Sequence, residues 1–334
     1  MSGVKGGLKV VQMRADHREG GRVSCAAALL FGISCLARAE VEPAGPPPPV
    51  ADSLPEILVA APEPRYAAPT QFDRIGRIWM PVLINDKGPF RLVFDTGASQ
   101  TAVNAGVAEA LGIALPSPDS VTLSGATGSR TVSAIAVQSM VVGDVNLRGK
   151  RLAILTDALG EADGVMGTEG LLDKRIRVDF GRDRISVQRS HQERAQPGFL
   201  TIPVTIVHGL LVVEDATVGG IPARVIIDTG GQGTVANEAL QRALRRRLRP
   251  EDVKATQITG VTSDVQRGDR MVIPEMVLGT VRISPTEVTV GDLYIFQHWH
   301  MTRTPTIMLG MDVLGLLDTL IIDYPRRELQ IRTH

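Results

Sequence analysis

The chain has few aromatic residues, almost no cysteine and no net charge. Its 334 residues include two cysteines and 4% aromatic residues, and 36 Lys and Arg residues balance 36 Asp and Glu residues. Two cysteines are too few for a disulfide-stapled fold or a four-cysteine zinc site. A neutral chain offers no basic field, so we expect no nucleic-acid partner. The 43% hydrophobic content suffices for two cores, which indicates more than one globular domain.

Sequence motifs of several enzyme classes are also missing. The chain contains no nucleophile elbow, no P-loop and no dinucleotide-binding fingerprint. His298 and His300 would share one face of a strand, but no nearby cysteine or spaced carboxylate cluster completes a metal site. We therefore interpret this segment as a surface loop, and we expect neither a metal nor another cofactor.

The N-terminal region has the composition of a signal peptide. Several basic residues precede an apolar stretch over residues 23–36, and Ala37-Arg38-Ala39 then provides a small-x-small cleavage pattern. The stretch is shorter than the roughly 20 residues that a transmembrane helix needs. We therefore predict a signal peptide over residues 1–39 and an exported protein, periplasmic or secreted, with no stable membrane span once the signal is removed.

The flanks of this region leave alternatives open. Translation could begin at Met13, because the basic region is long for a signal peptide. Cys35 could become a lipid-anchored N-terminus, although Gly32 stands where such sites usually have an apolar residue, which favours an ordinary signal-peptide cysteine. Residues 40–70 are rich in proline and alanine, and this composition favours extended chain. We interpret them as a spacer rather than as a pro-segment.

The tripeptide Asp-Thr-Gly occurs twice, beginning at Asp95 and at Asp228, and each copy follows an apolar run. A single copy is typical of a plain turn. The flanks, however, repeat at the same spacing of 133 residues, with Pro89 matching Pro222, Arg91 matching Arg224 and Asn104 matching Asn237. The chain is therefore an internal duplication with one small domain per copy. We place the two lobes at residues 71–195 and 196–334.

Further repeated elements follow each copy in the same order. A glycine-bearing segment comes about 30 residues later, with Gly125 and Gly128 in the first half and Gly260 in the second. Two apolar residues then precede Gly167 and Gly310, and each half closes with an apolar–acid–aromatic turn and a short alternating strand. This order of elements resembles that of the aspartic peptidases, and the first copy is most similar to the retropepsin-like branch, over residues 72–331.

The resemblance implies a fold class and an arrangement of lobes. Retroviral enzymes join two identical chains and pepsin-like enzymes fuse two lobes, so this chain looks like two retropepsin-like units in one polypeptide. We expect an all-β fold with short helices, in which two acid-protease-type β-barrel lobes enclose the active site. The short link between residues 187 and 200 favours lobes that pair within a monomer. The alternative is that each half pairs with the same half of a second chain.

The resemblance also assigns roles to residues. Asp95 and Asp228 match the catalytic pair, in which like charges at about 3 Å share one proton, so that one carboxylate activates water and the other acts as an acid. The residues implied to support the active-site loops are Thr96, Gly97, Ser99, Thr229 and Gly230. The residues implied to form substrate-binding flaps are Gly125, Gly128 and Gly260. An ordinary hairpin remains the alternative for these segments, which lack the flap tyrosine of pepsin-like enzymes.

One departure concerns the second loop, where Gly231 and Gln232 follow the motif in place of the alanine and serine of the first. The extra glycine predicts a looser, less preorganised second loop. We expect an aspartic endopeptidase that cleaves an extended peptide or protein. The alternative is a non-catalytic peptide- or protein-binding module of the cell envelope that keeps the fold. A basic cluster over residues 242–249 is interpreted as a solvated helix face, with contact to an anionic envelope component as the alternative.

Overall fold

A computed structural model describes residues 66–69, 78–143, 145–155, 162–182, 184–248, 253–260 and 262–333. The predicted signal peptide lies outside the described residues, as does most of the predicted spacer. The end of that spacer is an exception, since Tyr66–Pro69 forms strand β1, which pairs with a strand of the first lobe. The spacer therefore ends before residue 66. A proline is tolerated there because β1 is an edge strand.

The rest of the first half consists of nine strands and one helix among the described residues. In chain order they are β2 (Trp79–Ile84), β3 (Lys87–Phe94), β4 (Ala102–Asn104), α1 (Ala105–Leu111), β5 (Ser120–Ser124), β6 (Ser129–Val142), β7 (Val145–Leu155), β8 (Gly164–Met166), β9 (Lys174–Asp179) and β10 (Arg184–Arg189).

The second half, as far as it is described, repeats this succession with additional elements. They are β11 (Leu200–Pro203), β12 (Thr205–Val207), β13 (Leu210–Val213), β14 (Ala216–Val218), β15 (Ile221–Pro222), β16 (Arg224–Ile227), β17 (Val235–Ala236), α2 (Glu238–Leu244), β18 (Lys254–Thr259), β19 (Val265–Ile273), β20 (Met276–Leu278), β21 (Val281–Ile283), β22 (Thr286–Val290), α3 (Tyr294–His298), β23 (Thr306–Leu309), α4 (Met311–Leu314), β24 (Thr319–Asp323) and β25 (Glu328–Arg332).

The first lobe is a closed barrel. Its seven strands run in the order β2-β3-β8-β4-β7-β6-β5, and a further pairing of β2 with β6 closes six of them into a ring. Strand β5 remains outside the ring as one arm of a hairpin with β6. Side chains alternate along β3, so that Leu92 and Phe94 lie in the main core while Val93 packs on the other face.

The second lobe has the same central strand pairing as the first lobe, but its other described strands are arranged differently. Strand β16 pairs in parallel with β23, as β3 pairs with β8 in the first lobe. The remaining strands divide into an eight-stranded sheet, β12-β13-β16-β23-β17-β22-β19-β18, and a four-stranded sheet, β15-β14-β20-β21. The counterpart of β2 is divided into β13 and β14. The predicted all-β architecture with short helices is confirmed.

A six-stranded sheet joins the lobes, in the order β1-β10-β9-β24-β25-β11. At its centre β9 of the first lobe pairs antiparallel with β24 of the second, and Arg175 lies opposite Asp323. This pair is buried, with 2.6 Å between the Arg175 Nη1 and Asp323 Oδ2 atoms, and Arg175 Nη2 also donates to Gln330 at 2.7 Å. In this structure the two halves therefore pair within one chain.

The helices are short, and their ends follow sequence signals. Asn237 caps α2 by accepting a hydrogen bond from the Leu240 N–H, and it matches Asn104, which caps α1. His298 ends helix α3, so the segment we predicted as a loop is partly helical. The described residues contain no helix that is both long enough and apolar enough to span a bilayer.

Candidate active site

The two Asp-Thr-Gly loops occupy equivalent places in the two lobes. Asp95 directly follows β3, and its backbone N–H donates to Met166 at the end of β8 at 3.1 Å. Asp228 follows β16, and its N–H donates to Leu309 at the end of β23 at 3.0 Å. Each aspartate therefore emerges where two parallel strands end, and the apolar–apolar–glycine elements support the loops from the adjacent strand.

The two threonines of the motif link the loops across the lobes. The Thr96 hydroxyl donates to the Ile227 carbonyl at 2.7 Å, and the Thr229 hydroxyl donates to the Phe94 carbonyl at 2.8 Å. Each hydroxyl also accepts the backbone N–H of the other threonine at 3.1 Å. Both side chains are fully buried. These four bonds fix the position of one aspartate relative to the other.

The carboxyl groups of Asp95 and Asp228 lie close together, since a Cβ atom on Gly97 would be 3.1 Å or less from an oxygen of each. Both aspartates are partly accessible to solvent. The Gly97 N–H donates to Asp95 Oδ1 at 2.7 Å. The N–H groups of Gly230 and Gly231 both donate to Asp228 Oδ1 at 3.0 Å. The second carboxylate therefore receives more backbone support than the first.

The glycines of the motif make room for this close approach. A Cβ atom on Gly230 would overlap the carboxyl group of Asp95, which belongs to the other lobe. A Cβ atom on Gly97 would lie 2.8 Å from Asp228 Oδ1. Each lobe therefore needs a glycine where the opposite carboxylate passes.

The two carboxyl groups differ in acidity. Burial and the adjacent Asp228 carboxylate raise the pKa of Asp95 well above its usual range. Burial also raises the pKa of Asp228, but hydrogen bonds from Gly231, Asp95 and Gly230 oppose this effect. Two like charges this close disfavour ionisation of both groups, and the pKa is raised further at Asp95 than at Asp228.

Each lobe contains a further threonine and acid that support its catalytic loop and that the sequence analysis did not identify. The Thr101 hydroxyl accepts the Gly167 N–H at 3.2 Å, and the Thr101 N–H donates to Glu169 at 2.7 Å. In the second lobe the Thr234 hydroxyl accepts the Gly310 N–H at 3.1 Å and donates to Asp312 at 2.7 Å. A repeat signal was available: each threonine comes six residues after its aspartate, and each acid comes two residues after its glycine.

Two expectations about the loops change with this geometry. Ser99 is exposed, and within the described part of the chain its side chain makes no supporting hydrogen bond, because Thr101 takes that place. The second loop is held through its backbone, although it contains more glycine than the first. The Gly231 and Gln232 carbonyls accept the N–H groups of Met311 and Asp312 at 2.8 and 3.0 Å, so α4 ties this loop down through its backbone.

The predicted flap segments are the tips of two hairpins. The Gly125 N–H donates to the Gly128 carbonyl at 2.9 Å and closes the β5–β6 turn, while Gly260 follows β18 at the turn toward β19. The tips touch each other, since the Gly260 N–H donates to the Thr127 hydroxyl at 3.1 Å. Each hairpin also contributes side chains to the apolar cluster beside its own catalytic strand.

A polar cavity of about 620 Å³ lies elsewhere, in the second lobe, and neither catalytic aspartate lines it. Glu238, Gln241, Arg267 and Asp269 are among its walls. No group of three or more His, Cys, Asp or Glu side chains suited to a metal occurs in the described part of the chain.

Comparison with protein families agrees with the duplication. Residues 80–172 match the model of a family described as "gag-polyprotein putative aspartyl protease". Residues 214–313 match the model of a family described as "Aspartyl protease". No curated protein matches the chain. One match falls on each half, and each begins before the aspartate and ends beyond the supporting glycine.

Proposed function

Since the chain belongs to the retropepsin-like aspartic peptidase superfamily, with two aspartyl protease lobes in tandem, we propose that it is an aspartic endopeptidase with a single active site. One observation carries this proposal: the carboxyl groups of Asp95 and Asp228, one from each lobe, meet at a site where the pKa of both is raised, so that we expect the pair to share one proton. A pair in this state contains both an acid and a base.

The mechanism is general acid–base attack of water on a peptide carbonyl. The ionised Asp228 removes a proton from a water molecule as the water oxygen attacks the carbonyl carbon. Asp95 gives its proton to the carbonyl oxygen, so that a neutral gem-diol forms. Asp228, now protonated, then donates its proton to the amide nitrogen as the C–N bond breaks, and Asp95 takes a proton back from the gem-diol. The products are a carboxylic acid and an amine, and the pair returns to its starting state. The four threonine bonds keep the two groups in position throughout, so little reorganisation is required at the moment of reaction.

The proposed substrate is an extended polypeptide. Two hairpins, β5–β6 and β18–β19, carry strand edges next to the catalytic strands, and an extended peptide can add to such edges. The tips meet through Thr127 and Gly260, so substrate entry requires the hairpins to separate and then close. Export of a monomeric enzyme remains a prediction from the signal-like residues 1–39 and the short link between the lobes.

The proposal is tested by digesting a peptide library with the chain and with the double variant Asp95→Asn/Asp228→Asn. The parent should cleave peptides at acidic to neutral pH, and the double variant should cleave none, because Asn can neither activate water nor supply the acid proton. A peptide inhibitor with a hydroxyl group in place of the scissile bond should block the parent. If the parent binds this inhibitor but cleaves nothing, the non-catalytic binding module is the correct function.

A further inference from the structure

The tips of the two hairpins are joined by groups that belong to different lobes. The Gly260 N–H of the second lobe donates to the hydroxyl of Thr127, a buried residue of the first lobe. The Arg130 Nη2 atom of strand β6 lies 3.4 Å from the Asp264 Oδ1 atom of the opposite tip. The tips therefore share an ion pair as well as a hydrogen bond.

The Asp264 side chain also lies against a glycine of the first tip. A Cβ atom on Gly128 would overlap the Asp264 carboxylate, so this approach requires glycine. A Cβ atom on Gly260 would in turn lie 2.6 Å from the Thr127 Oγ1 atom. We call the three interactions, between Thr127 and Gly260, Arg130 and Asp264, and Gly128 and Asp264, the tip contact.

The tip contact depends on a difference between the two copies of the hairpin. Gly128 and Asp264 hold equivalent positions, because the carbonyl of each closes its own turn. The Gly128 carbonyl accepts the N–H of Gly125 at 2.9 Å, and the Asp264 carbonyl accepts the N–H of Gly260 at 3.4 Å. Two identical tips would bring together either two glycines, which carry no charge, or two aspartates, which repel each other. The complementary pair thus needs two different tips, which a fused duplication provides.

The first tip also contacts the body of the second lobe. The Ala126 carbonyl accepts the Ile295 N–H of α3 at 3.2 Å. Ala126 is in addition a partly buried neighbour of the apolar cluster that contains Ile226. Ile226 stands two residues before the catalytic Asp228. The tip of the first lobe therefore reaches an apolar cluster that includes the catalytic strand of the second lobe.

We propose that the tip contact is a latch that limits the rate at which a peptide enters the active site. This proposal rests on the proposed function, in which the hairpins separate to admit substrate. All three interactions must then break, because their partners lie on different hairpins, and a peptide enters only the fraction of molecules whose hairpins are apart. The Arg130 and Asp264 side chains are 47% and 42% exposed, so salt screens their attraction and weakens the latch.

The test measures the association rate constant of an uncharged peptide inhibitor with a hydroxyl group in place of the scissile bond. The chain's two tryptophans, Trp79 and Trp299, lie in or beside the apolar clusters next to the catalytic strands, and their fluorescence provides a stopped-flow signal. Asp264→Asn should raise the rate constant about two- to fivefold, the range expected for an ion pair of partly exposed groups. Arg130→Gln and the double variant should reach the same value, because all three variants break one interaction.

Two further measurements break the latch in other ways. Gly128→Ala changes no charge, but its methyl group displaces the Asp264 carboxylate, so association should accelerate here as well. Raising the NaCl concentration from about 0.05 M to about 1 M should accelerate association with the parent, since salt screens the ion pair. The same change of salt should have a smaller effect on Asp264→Asn.

The ion pair between Arg151 and Asp119 provides the matched control. Its side chains are 55% and 52% exposed and its charged atoms lie 3.6 Å apart, but both residues belong to the first lobe. Asp119→Asn should leave the association rate constant unchanged. The inference is overturned if Asp119→Asn accelerates association as much as Asp264→Asn does, or if the tip variants associate at the rate of the parent.

Binding separates the latch from the proposed function. A parent that cleaves no peptide, but binds the inhibitor faster once the latch is broken, would refute the endopeptidase and leave the latch intact. A parent that cleaves peptides, and whose association rate constant none of the tip variants changes, would do the opposite. If neither the parent nor any tip variant binds the inhibitor, the inference is overturned, since the tip contact then does not control access to the aspartates.

Discussion

The two lobes are most alike at the catalytic loops and become less alike with distance from them. The threonine bonds between the loops are equivalent within 0.1 Å, at 2.7 and 2.8 Å for the hydroxyl donors and 3.1 Å for both N–H donors. Farther away, the first lobe is a closed barrel, whereas the described strands of the second lobe divide into two sheets. The duplication therefore keeps its symmetry where two carboxylates must meet.

The lobes differ in the environment of each carboxylate. Asp228 accepts the N–H groups of Gly230 and Gly231 on one oxygen, both at 3.0 Å, whereas Asp95 accepts the Gly97 N–H at 2.7 Å and a weaker bond from Ala98. The pKa of Asp95 is raised further than that of Asp228, first by burial and then by the neighbouring carboxylate. Two copies of one loop thus place their carboxyl groups in unequal environments.

The largest expected effect on stability concerns the buried ion pair that joins the lobes. Arg175→Met should destabilise the protein by about 3–5 kcal/mol, because it leaves the fully buried Asp323 without its cation. The neighbouring Arg177, on the same strand, is partly exposed and pairs with Asp179 at 3.3 Å, so Arg177→Met should cost about 1 kcal/mol or less. Urea denaturation measures both. Equal losses of unfolding free energy would show that the buried Arg175–Asp323 pair stabilises the protein no more than a partly exposed ion pair does.

The next prediction compares the two glycines that admit the carboxylates. Gly230→Ala should lower kcat by about 100-fold or more, since the new methyl group overlaps the Asp95 carboxyl group and displaces it. Gly97→Ala should cause a smaller loss, because its Cβ would lie 2.8 Å from Asp228 Oδ1. Gly233→Ala is the control, as its Cβ meets nothing closer than 3.9 Å. If Gly233→Ala lowered kcat as much as Gly230→Ala, overlap with the Asp95 carboxyl group would not explain the loss of activity.

A third prediction concerns the dependence of stability on pH. The pKa of Asp95 is higher in the folded state than in the unfolded chain. As pH rises above about 4, the unfolded chain loses this proton first. The free energy of unfolding therefore falls with rising pH until the pH passes the raised pKa. Asn cannot ionise, so Asp95→Asn should match the parent at about pH 3 and exceed its free energy of unfolding at about pH 7. Asp228→Asn should raise the free energy of unfolding at about pH 7 by a smaller amount, because hydrogen bonds oppose the effect of burial on the pKa of Asp228. Parallel pH profiles for parent and Asp95→Asn would contradict the unequal pair.

The sequence was informative wherever the chemistry demands particular residues in both copies. Asp95 and Asp228, their threonines and their glycines were identifiable because the two loops must approach closely, which restricts the residue types. Thr101 and Thr234 were missed although they also repeat, since a threonine beyond the motif carries no signal without its partner acid. The partner acids, Glu169 and Asp312, lie far along the chain and were recognisable only once both halves were aligned in full.

Other features depended on packing that a single sequence does not reveal. The glycines after Asp228 suggested a loose loop, but α4 binds that loop through backbone groups that do not depend on residue type. Residues 298–300 were interpreted as a loop, but His298 ends helix α3, whose five residues are too few for a clear helical period. Strand β1 was assigned to the spacer because the Pro- and Ala-rich composition favours extended, poorly packed chain, and nothing in that composition indicated the pairing with β10.

The central claim is that Asp95 and Asp228 of one chain form a single shared site. It is tested most directly by measuring kcat/KM for Asp95→Asn and Asp228→Asn as separate variants on a peptide that the parent cleaves. Each variant should lose activity on the order of 10⁴-fold or more, because the two groups act as a unit. If like halves of two chains paired instead, each variant would keep the site built from its other aspartate, and activity near half of the parent's in either variant would contradict the claim.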